Sequence, residues 1–180
     1  MKPNTRTKIL QGVISIIEKE GLTAVTFEAV AAETGLTRGG LTYHFRSRED
    51  LIRATHEFQA ENWRKEIDAL QESTQGDRRL AYILSGGSDT SRAEMLLMLN
   101  SVQDQEFAEI WSSVRDDAAP AIPTMDDPAA MAQFIAGLAS DGLWLRQAID
   151  QDRLPKDIKK RALDAIVELA GDFGTSTPKT

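Results

Sequence analysis

The sequence contains no cysteine and only two histidines, His44 and His56. Without cysteine there is no disulfide, no thiolate nucleophile and no cysteine-ligated metal, and a reducing compartment is the natural one. The two histidines belong to no recognisable catalytic triad or HExxH-type metal site. We therefore expect a protein that is not an enzyme and that uses neither a metal nor a cofactor, although an enzyme that works with carboxylates alone remains open.

Long apolar runs are also absent. The most apolar stretch, FIAGLASDGLWL, is interrupted by Asp141, well short of the roughly 18 continuous apolar residues that a membrane span needs. The opening residues, MKPNTRTKILQG, lack the apolar segment of a signal peptide. We expect a cytoplasmic protein with no membrane partner.

Positive charge is scarce in the chain as a whole, whose net charge is −7 at pH 7. Residues 1–56 nevertheless carry eight Lys and Arg against six Asp and Glu, a balance of +2, so the remainder carries −9. Such an asymmetry suits a protein that presents one surface to a polyanion. Two solvated surfaces of different composition explain it equally well.

Apolar residues recur at the three- and four-residue spacing of helices, and no stretch alternates with period two, so the sequence predicts an all-α fold. The predicted helices span residues 5–20, 26–34, 37–44, 48–72, 77–84, 91–103, 104–117, 128–152 and 155–171 of the 180-residue chain. We predict one domain at residues 1–47, a second helical domain at 48–173 and a disordered tail at 174–180.

The segment from Thr26 to His44 is predicted to form two short helices joined by a tight turn. Thr26 and Thr37 are suitable N-cap residues, and Gly35 suits a turn that needs a positive φ angle. Two short helices in this arrangement form a helix-turn-helix, whose second helix reads the DNA major groove.

The second short helix carries two adjacent glycines, Gly39 and Gly40, each about 1 kcal/mol less favourable in a helix interior than alanine. Neither GxxxxGK[ST] nor GxGxxG surrounds them, which excludes a phosphate-binding loop. Two explanations remain. The glycines let the helix backbone approach phosphates or base edges, or they permit close packing against the neighbouring helix.

The run TFEAVAAETGLTRGGLTYHFRSREDLI resembles the DNA-binding signature of TetR-type (tetracycline-repressor-like) transcriptional regulators, and DGLWLRQAI at 141–149 resembles a C-terminal helix of one branch of that family. The resemblance implies a homodimer with an N-terminal three-helix DNA-binding domain and a C-terminal helical domain for ligand binding and dimerisation. It also implies a repressor that binds a palindromic operator in double-stranded DNA and is released by a small-molecule effector. A helical ligand-binding or scaffold protein that does not read DNA is the alternative.

The resemblance assigns nine residues to DNA. Thr26 and Thr37 would hold phosphates through hydroxyl and backbone N–H groups, and Arg48 would clamp a phosphate from the next helix. The residues expected to face the groove are Arg38, Gly39, Gly40, Thr42, Tyr43 and His44. Thr42 stands where the family commonly has tyrosine, and Gly40 where a side chain is often present. We therefore expect base specificity to depend mainly on Arg38 and Tyr43.

The last two predicted helices each carry an apolar face. Paired with the same helices of a second copy, these faces would form a four-helix dimer interface; the alternative is an intramolecular core. The predicted interface residues are Phe134, Leu138, Gly142, Leu145, Ile158, Ala162, Ile166 and Leu169.

Most bulky side chains of the C-terminal region are expected in the core, but they are also the available walls of an effector pocket. The candidate pocket residues are Trp63, Met95, Met98, Phe107, Trp111, Asp141 and Trp144. The acidic composition favours a cationic effector, although a solvated surface explains the charge equally well.

Overall fold

The computed structural model describes residues 4–124, 126–150 and 154–172. Within these ranges all regular structure is helical, and the predicted all-α fold is confirmed. The helices are α1 (Thr5–Glu20), α2 (Phe27–Thr34), α3 (Arg38–His44), α4 (Arg48–Ser73), α5 (Arg78–Ser85), α6 (Arg92–Ser101), α7 (Gln105–Ala118), α8 (Pro128–Asp150) and α9 (Lys156–Asp172).

The predicted helix ends agree with these bounds to within two residues where the structure describes them. The sequence did not predict the short 3₁₀ turn at Leu22–Ala24. The end predicted for α8 at residue 152 and the tail predicted at 174–180 lie outside the described residues. Among the helices described, none combines the length and the apolar character that crossing a membrane requires.

The chain divides into two compact units. The first comprises residues 4–62 and 91–112, and the second comprises residues 63–90 and 113–172. Helices α4 and α7 each contribute residues to both units. This division differs from the boundary at residue 47 inferred from the sequence, which stays a prediction.

The core of the first unit is built on α1, which packs against α2 and α6. Its residues Ile9, Val13 and Ile17 are completely buried. Arg92, at the start of α6, donates from Nη1 to the Glu18 carbonyl at 2.7 Å, and the Glu18 carboxylate accepts from the Ala93 N–H at 2.7 Å. These bonds satisfy backbone groups at the end of α1 and the start of α6, which fixes the two helix ends together.

In the second unit, α5 packs against α8 and α9, and polar side chains of α8 hold the end of α5. Ser140 donates to the Ile83 carbonyl at 2.7 Å, and the Gln147 amide donates to the Gly86 carbonyl at 2.9 Å. Both side chains are buried. Because a buried polar group without a partner costs free energy, these bonds favour this pairing of α5 with α8.

Candidate nucleic-acid interface

Two short helices and the turn between them form the candidate interface. The Thr26 hydroxyl accepts from the Ala29 N–H at 3.1 Å, and the Thr37 hydroxyl accepts from the Gly40 N–H at 3.1 Å. Gly35 lies between the helices in the left-handed conformation, with φ of 67°. The predicted caps and turn are therefore confirmed, and each follows from backbone chemistry at a single residue.

Helix α3 is anchored by one face and presents the other to solvent. Leu41 is completely buried, and Phe45, which follows the helix, is 1% exposed. Tyr43, in contrast, is 86% exposed, and its ring meets that of His44 edge to face, with centroids 5.2 Å apart. Seven residues at about 1.5 Å each make α3 about 10 Å long, which fits a major groove about 12 Å wide.

The glycine pair lies on the exposed side of α3. A Cβ atom added at Gly39 would meet nothing within 4 Å, and one added at Gly40 would meet only the Thr37 hydroxyl at 3.4 Å. Neither glycine has a positive φ angle. Close packing against a neighbouring helix is therefore the wrong explanation for these glycines, since no helix lies close enough to require them.

The two acidic residues of α2 each form an ion pair. Arg38, at the first position of the helix, pairs with Glu28 of α2 at 2.7 Å between Nη1 and Oε1. Lys19 pairs with Glu33 at 2.8 Å, and hydrogen bonds from Lys19 and Ser15 lower the pKa of the Glu33 carboxyl. The structure thus places an acidic residue directly beside the arginine expected to read bases, which sequence reasoning did not foresee.

Arg48, expected to clamp a phosphate, also has a role inside the protein. Its Nε donates to the Val25 carbonyl at 2.7 Å, and its Nη2 donates to the Leu22 carbonyl at 2.9 Å. These bonds tie the start of α4 to the segment that leads into α2. The phosphate contact stays a prediction, and this internal role was missed because the turn at Leu22–Ala24 was itself not predicted.

Four of the seven candidate pocket residues, Met95, Met98, Phe107 and Trp111, belong to the first unit. Phe107 and Trp111 meet at His56, which is completely buried. The His56 ring stacks on Phe107 at 4.3 Å between centroids, and its Nδ1 accepts from the Trp111 indole N–H at 2.9 Å. Because Nδ1 accepts, the neutral ring carries its proton on Nε2, which lies 3.1 Å from the Asn100 side-chain oxygen.

This arrangement holds His56 in the neutral form. Burial lowers its pKa, while the Asn100 bond and the charge of Asp104 act in the opposite direction. A proton added at Nδ1 would point at the Trp111 N–H and remove that hydrogen bond. His56 is thus a buried structural group, and the only sequence feature that indicated its burial was its position on the inner face of α4.

The other three candidates, Trp63, Asp141 and Trp144, belong to the second unit. The Tyr82 hydroxyl donates to Asp141 Oδ1 at 2.7 Å, and the Trp63 ring lies 5.7 Å from the Tyr82 ring between centroids. Burial and the nearby Asp141 charge raise the pKa of Tyr82 far above its usual value. Tyr82 is therefore the residue that connects Trp63 with Asp141.

The predicted dimer residues divide by exposure. Leu138, Leu145 and Ile158 are 54%, 44% and 48% exposed, and Gly142 is exposed with open space around it. Phe134, Ala162, Ile166 and Leu169 are half-buried. Ile135 and Ile149, which belong to the same predicted apolar face of α8, are also exposed, at 45% and 60%. Residues 135, 138, 142, 145 and 149 follow the helical repeat and form one exposed stripe along α8, here called the α8 stripe.

No cluster of three or more His, Asp and Glu side chains in the described parts of the chain is arranged to hold a metal ion.

Two family models match the chain. The model of bacterial regulatory proteins of the tetR family matches residues 9–55, and that of the tetracyclin repressor-like C-terminal domain matches residues 76–171. The first match includes α2, the turn and α3. The second includes α5 to α8 and nearly all of α9.

Individual relatives are more distant. The chain is 23% identical over 176 residues to the HTH-type transcriptional regulator BetI of Pectobacterium carotovorum subsp. carotovorum strain PC1, covering 87% of this chain and 89% of that protein. A transcriptional regulator from Rhodococcus sp. Rha1 superposes with a TM-score of 0.69 at 14% identity, covering 94% of this chain and 97% of the other. Multidrug binding protein EbrR, in complex with ethidium, superposes with a TM-score of 0.61 at 19% identity, covering 94% and 99%. Because these identities are low, the structural likeness establishes the fold alone.

Proposed function

The chain belongs to the tetR family of bacterial regulatory proteins, and on that premise we propose that it represses transcription by binding a palindromic operator as a homodimer. A small-molecule effector releases it from DNA. Family membership makes the protein a DNA-binding transcriptional regulator with the helix-turn-helix as its DNA-binding element. Beyond that, we propose that the regulator represses transcription, that it forms a dimer and that it responds to an effector. We also propose which residues contact DNA.

The exposed glycine pair carries the proposal for how DNA is read. Helix α3 contains two glycines that the fold of the single chain does not require, and its exposed side chains include Tyr43 and Arg38. Missing side chains at this place allow the backbone to lie against phosphates or base edges. The residues we propose to contact DNA are Thr26, Thr37, Arg38, Gly39, Gly40, Thr42, Tyr43, His44 and Arg48.

The α8 stripe supports the proposed homodimer. Its apolar residues lie open to solvent in the single chain, and Gly142 at its centre permits close approach of another helix. A second copy would cover the stripe with its own α8 stripe, because a two-fold axis brings the same surface of both partners together. Two reading helices are then available for half-sites about 34–36 Å apart.

For the effector we propose an organic cation of small size. Residues 57–180 carry a net charge of −9, and Asp141 presents a carboxylate beside the aromatic residues Tyr82 and Trp63. Aromatic rings and a carboxylate together bind organic cations. EbrR, similar in fold, has been solved with ethidium, which is such a cation. Helix α4 contributes residues to both units, so we propose it as the element through which the effector shifts operator affinity.

Selection of bound sequences from random and genomic DNA tests the proposal. We expect one palindromic sequence to be enriched. Arg38→Ala and Tyr43→Ala should each weaken binding to it by about 1–3 kcal/mol, with unchanged helix content by circular dichroism. The matched control is Arg79→Ala, an exposed arginine of α5, which should leave operator affinity unchanged. If no sequence is enriched, the non-DNA-binding scaffold becomes the better account of this chain.

A further inference from the structure

We propose that Glu28 determines specificity by positioning Arg38 for a base edge, an inference that rests on the proposed function of α3 as the reading helix. Glu28 is the second residue of α2 and Arg38 is the first residue of α3, and their side chains pair at 2.7 Å. Glu28 thus forms an ion pair with one of the residues proposed to contact DNA.

Stability does not account for the pair. The Arg38 side chain is 72% exposed and that of Glu28 is 65% exposed. Ion pairs between such exposed groups contribute little to stability, because water and salt screen them and because both side chains lose freedom. The location of Glu28 at the start of α2 favours that helix, but this benefit does not require Arg38 as a partner.

Affinity for DNA does not account for Glu28 either. A carboxylate on a surface that faces phosphates is repelled by them, and it neutralises the one cation of α3. Glu28 therefore weakens binding to any DNA, whatever its sequence. A residue that weakens all binding is useful to a regulator only if it weakens incorrect binding more than correct binding.

The geometry of arginine supplies that difference. The guanidinium carries five N–H donors in a planar fork, and Glu28 occupies the Nη1 side. Two further donors remain available for the O6 and N7 atoms of a guanine, the contact that arginine makes most often in the major groove. A phosphate carries a negative charge, which the Glu28 carboxylate repels, whereas the O6 and N7 atoms of guanine are uncharged acceptors. Glu28 thus favours a bidentate contact with a base edge over a contact with the backbone.

The test measures discrimination and not affinity alone. Dissociation constants are determined at one fixed salt concentration for the selected operator, for operators with single base-pair changes and for an unrelated duplex. The proteins are the wild type, Glu28→Gln, Arg38→Ala and the double variant. Glu20→Gln is the control, because it removes the same charge from an exposed residue outside α2 and α3.

We expect Glu28→Gln to bind the unrelated duplex severalfold more tightly and to lower the ratio of operator to unrelated affinity by about tenfold. The loss should concentrate at one base pair per half-site. In the Arg38→Ala background the same change should leave the ratio within about twofold. Glu20→Gln should leave the ratio unchanged.

Two results would overturn the inference. If Glu28→Gln strengthens binding to all duplexes equally, Glu28 acts only through its charge. If the ratio falls as far without Arg38 as with it, Glu28 reads a base itself, for example the N4 amino group of a cytosine. Failure of the proposed function looks different, because the wild-type protein would then enrich no operator at all.

Discussion

Replacing Gly39 by alanine should stabilise the free protein and weaken its binding to the operator. The first effect follows from the space around Gly39, where an added Cβ meets nothing within 4 Å and the backbone already has an ordinary helical φ angle. Alanine is favoured over glycine within a helix by about 0.5–1 kcal/mol, partly because alanine leaves the unfolded chain fewer conformations than glycine does. We expect a gain of about that size in the free energy of unfolding.

The second effect has the opposite sign. If the backbone of α3 lies against DNA at Gly39, a methyl group there must displace the contact. Overfilling a closely packed contact costs about 1–3 kcal/mol, which corresponds to about 5- to 150-fold in affinity. The two signs separate a functional glycine from a merely tolerated one, since a tolerated glycine predicts the gain in stability without the loss in binding.

Urea unfolding at 25 °C measures the first effect, and titration of a labelled operator at fixed salt measures the second. Gly171→Ala is the control, because Gly171 is an exposed glycine of α9 whose added Cβ also meets nothing within 4 Å. It should not alter operator affinity. A Gly39→Ala protein that is stabilised yet binds the operator as tightly as wild type would refute the proposed close approach. A destabilised one would contradict the open space around Gly39.

Three further changes test other parts of the structure. Lowering the pH below about 6.5 should destabilise the fold, because the buried His56 has a lowered pKa and the unfolded chain takes up the proton first. In urea unfolding, the His56→Gln protein should not show this loss of stability, since a glutamine amide can replace both hydrogen bonds of the ring. Gly86→Ala should lower stability by about 1–3 kcal/mol in thermal unfolding, because its Cβ would lie 2.6 Å from the Ser140 carbonyl oxygen. Leu138→Glu should shift dimer to monomer in analytical ultracentrifugation, and an unchanged dimer would exclude the α8 stripe from the interface.

The features that sequence analysis predicted correctly are local ones. Thr26, Gly35 and Thr37 were identified because a cap or a left-handed turn depends on the chemistry of one residue and its immediate neighbours. The same reasoning explains why the helix ends were accurate to within two residues. Where a structural choice is made within one helical turn, the sequence contains nearly all the information that decides it.

The features that sequence analysis missed depend on distant residues. Trp111 and Asn100, which hold His56, are separated from it by 55 and 44 residues along the chain. A tryptophan or an asparagine satisfies many partners, so composition and periodicity do not identify which one it takes. The same holds for Arg48, whose carbonyl partners lie in a turn that carries no strong sequence signal.

Helix α8 shows what periodicity alone leaves open. The sequence correctly predicted a helix with apolar positions at three- and four-residue spacing. Of the interface residues predicted on it, Leu138, Gly142 and Leu145 lie on the exposed α8 stripe, whereas Phe134 is half-buried. Adjacent residues of a helix point about 100° apart, so Phe134 and Ile135 meet different surroundings although both are apolar. Because α8 is apolar on more than one side, periodicity alone does not decide which side is turned outward.

The Glu28 and Arg38 pair lies between these two cases. The residues are ten apart, yet a tight turn at Gly35 and a cap at Thr37 are enough to bring the start of α3 to the start of α2. Glu28 then has two separable effects, one on the α2 dipole and one on Arg38. Made in the Arg38→Ala background, Glu28→Gln removes only the first effect, so its cost in unfolding free energy isolates the dipole contribution, about 0.3–1 kcal/mol. The effect on base discrimination requires Arg38 and is independent of that contribution. The contributions of Glu28 to stability and to base discrimination can therefore be measured separately.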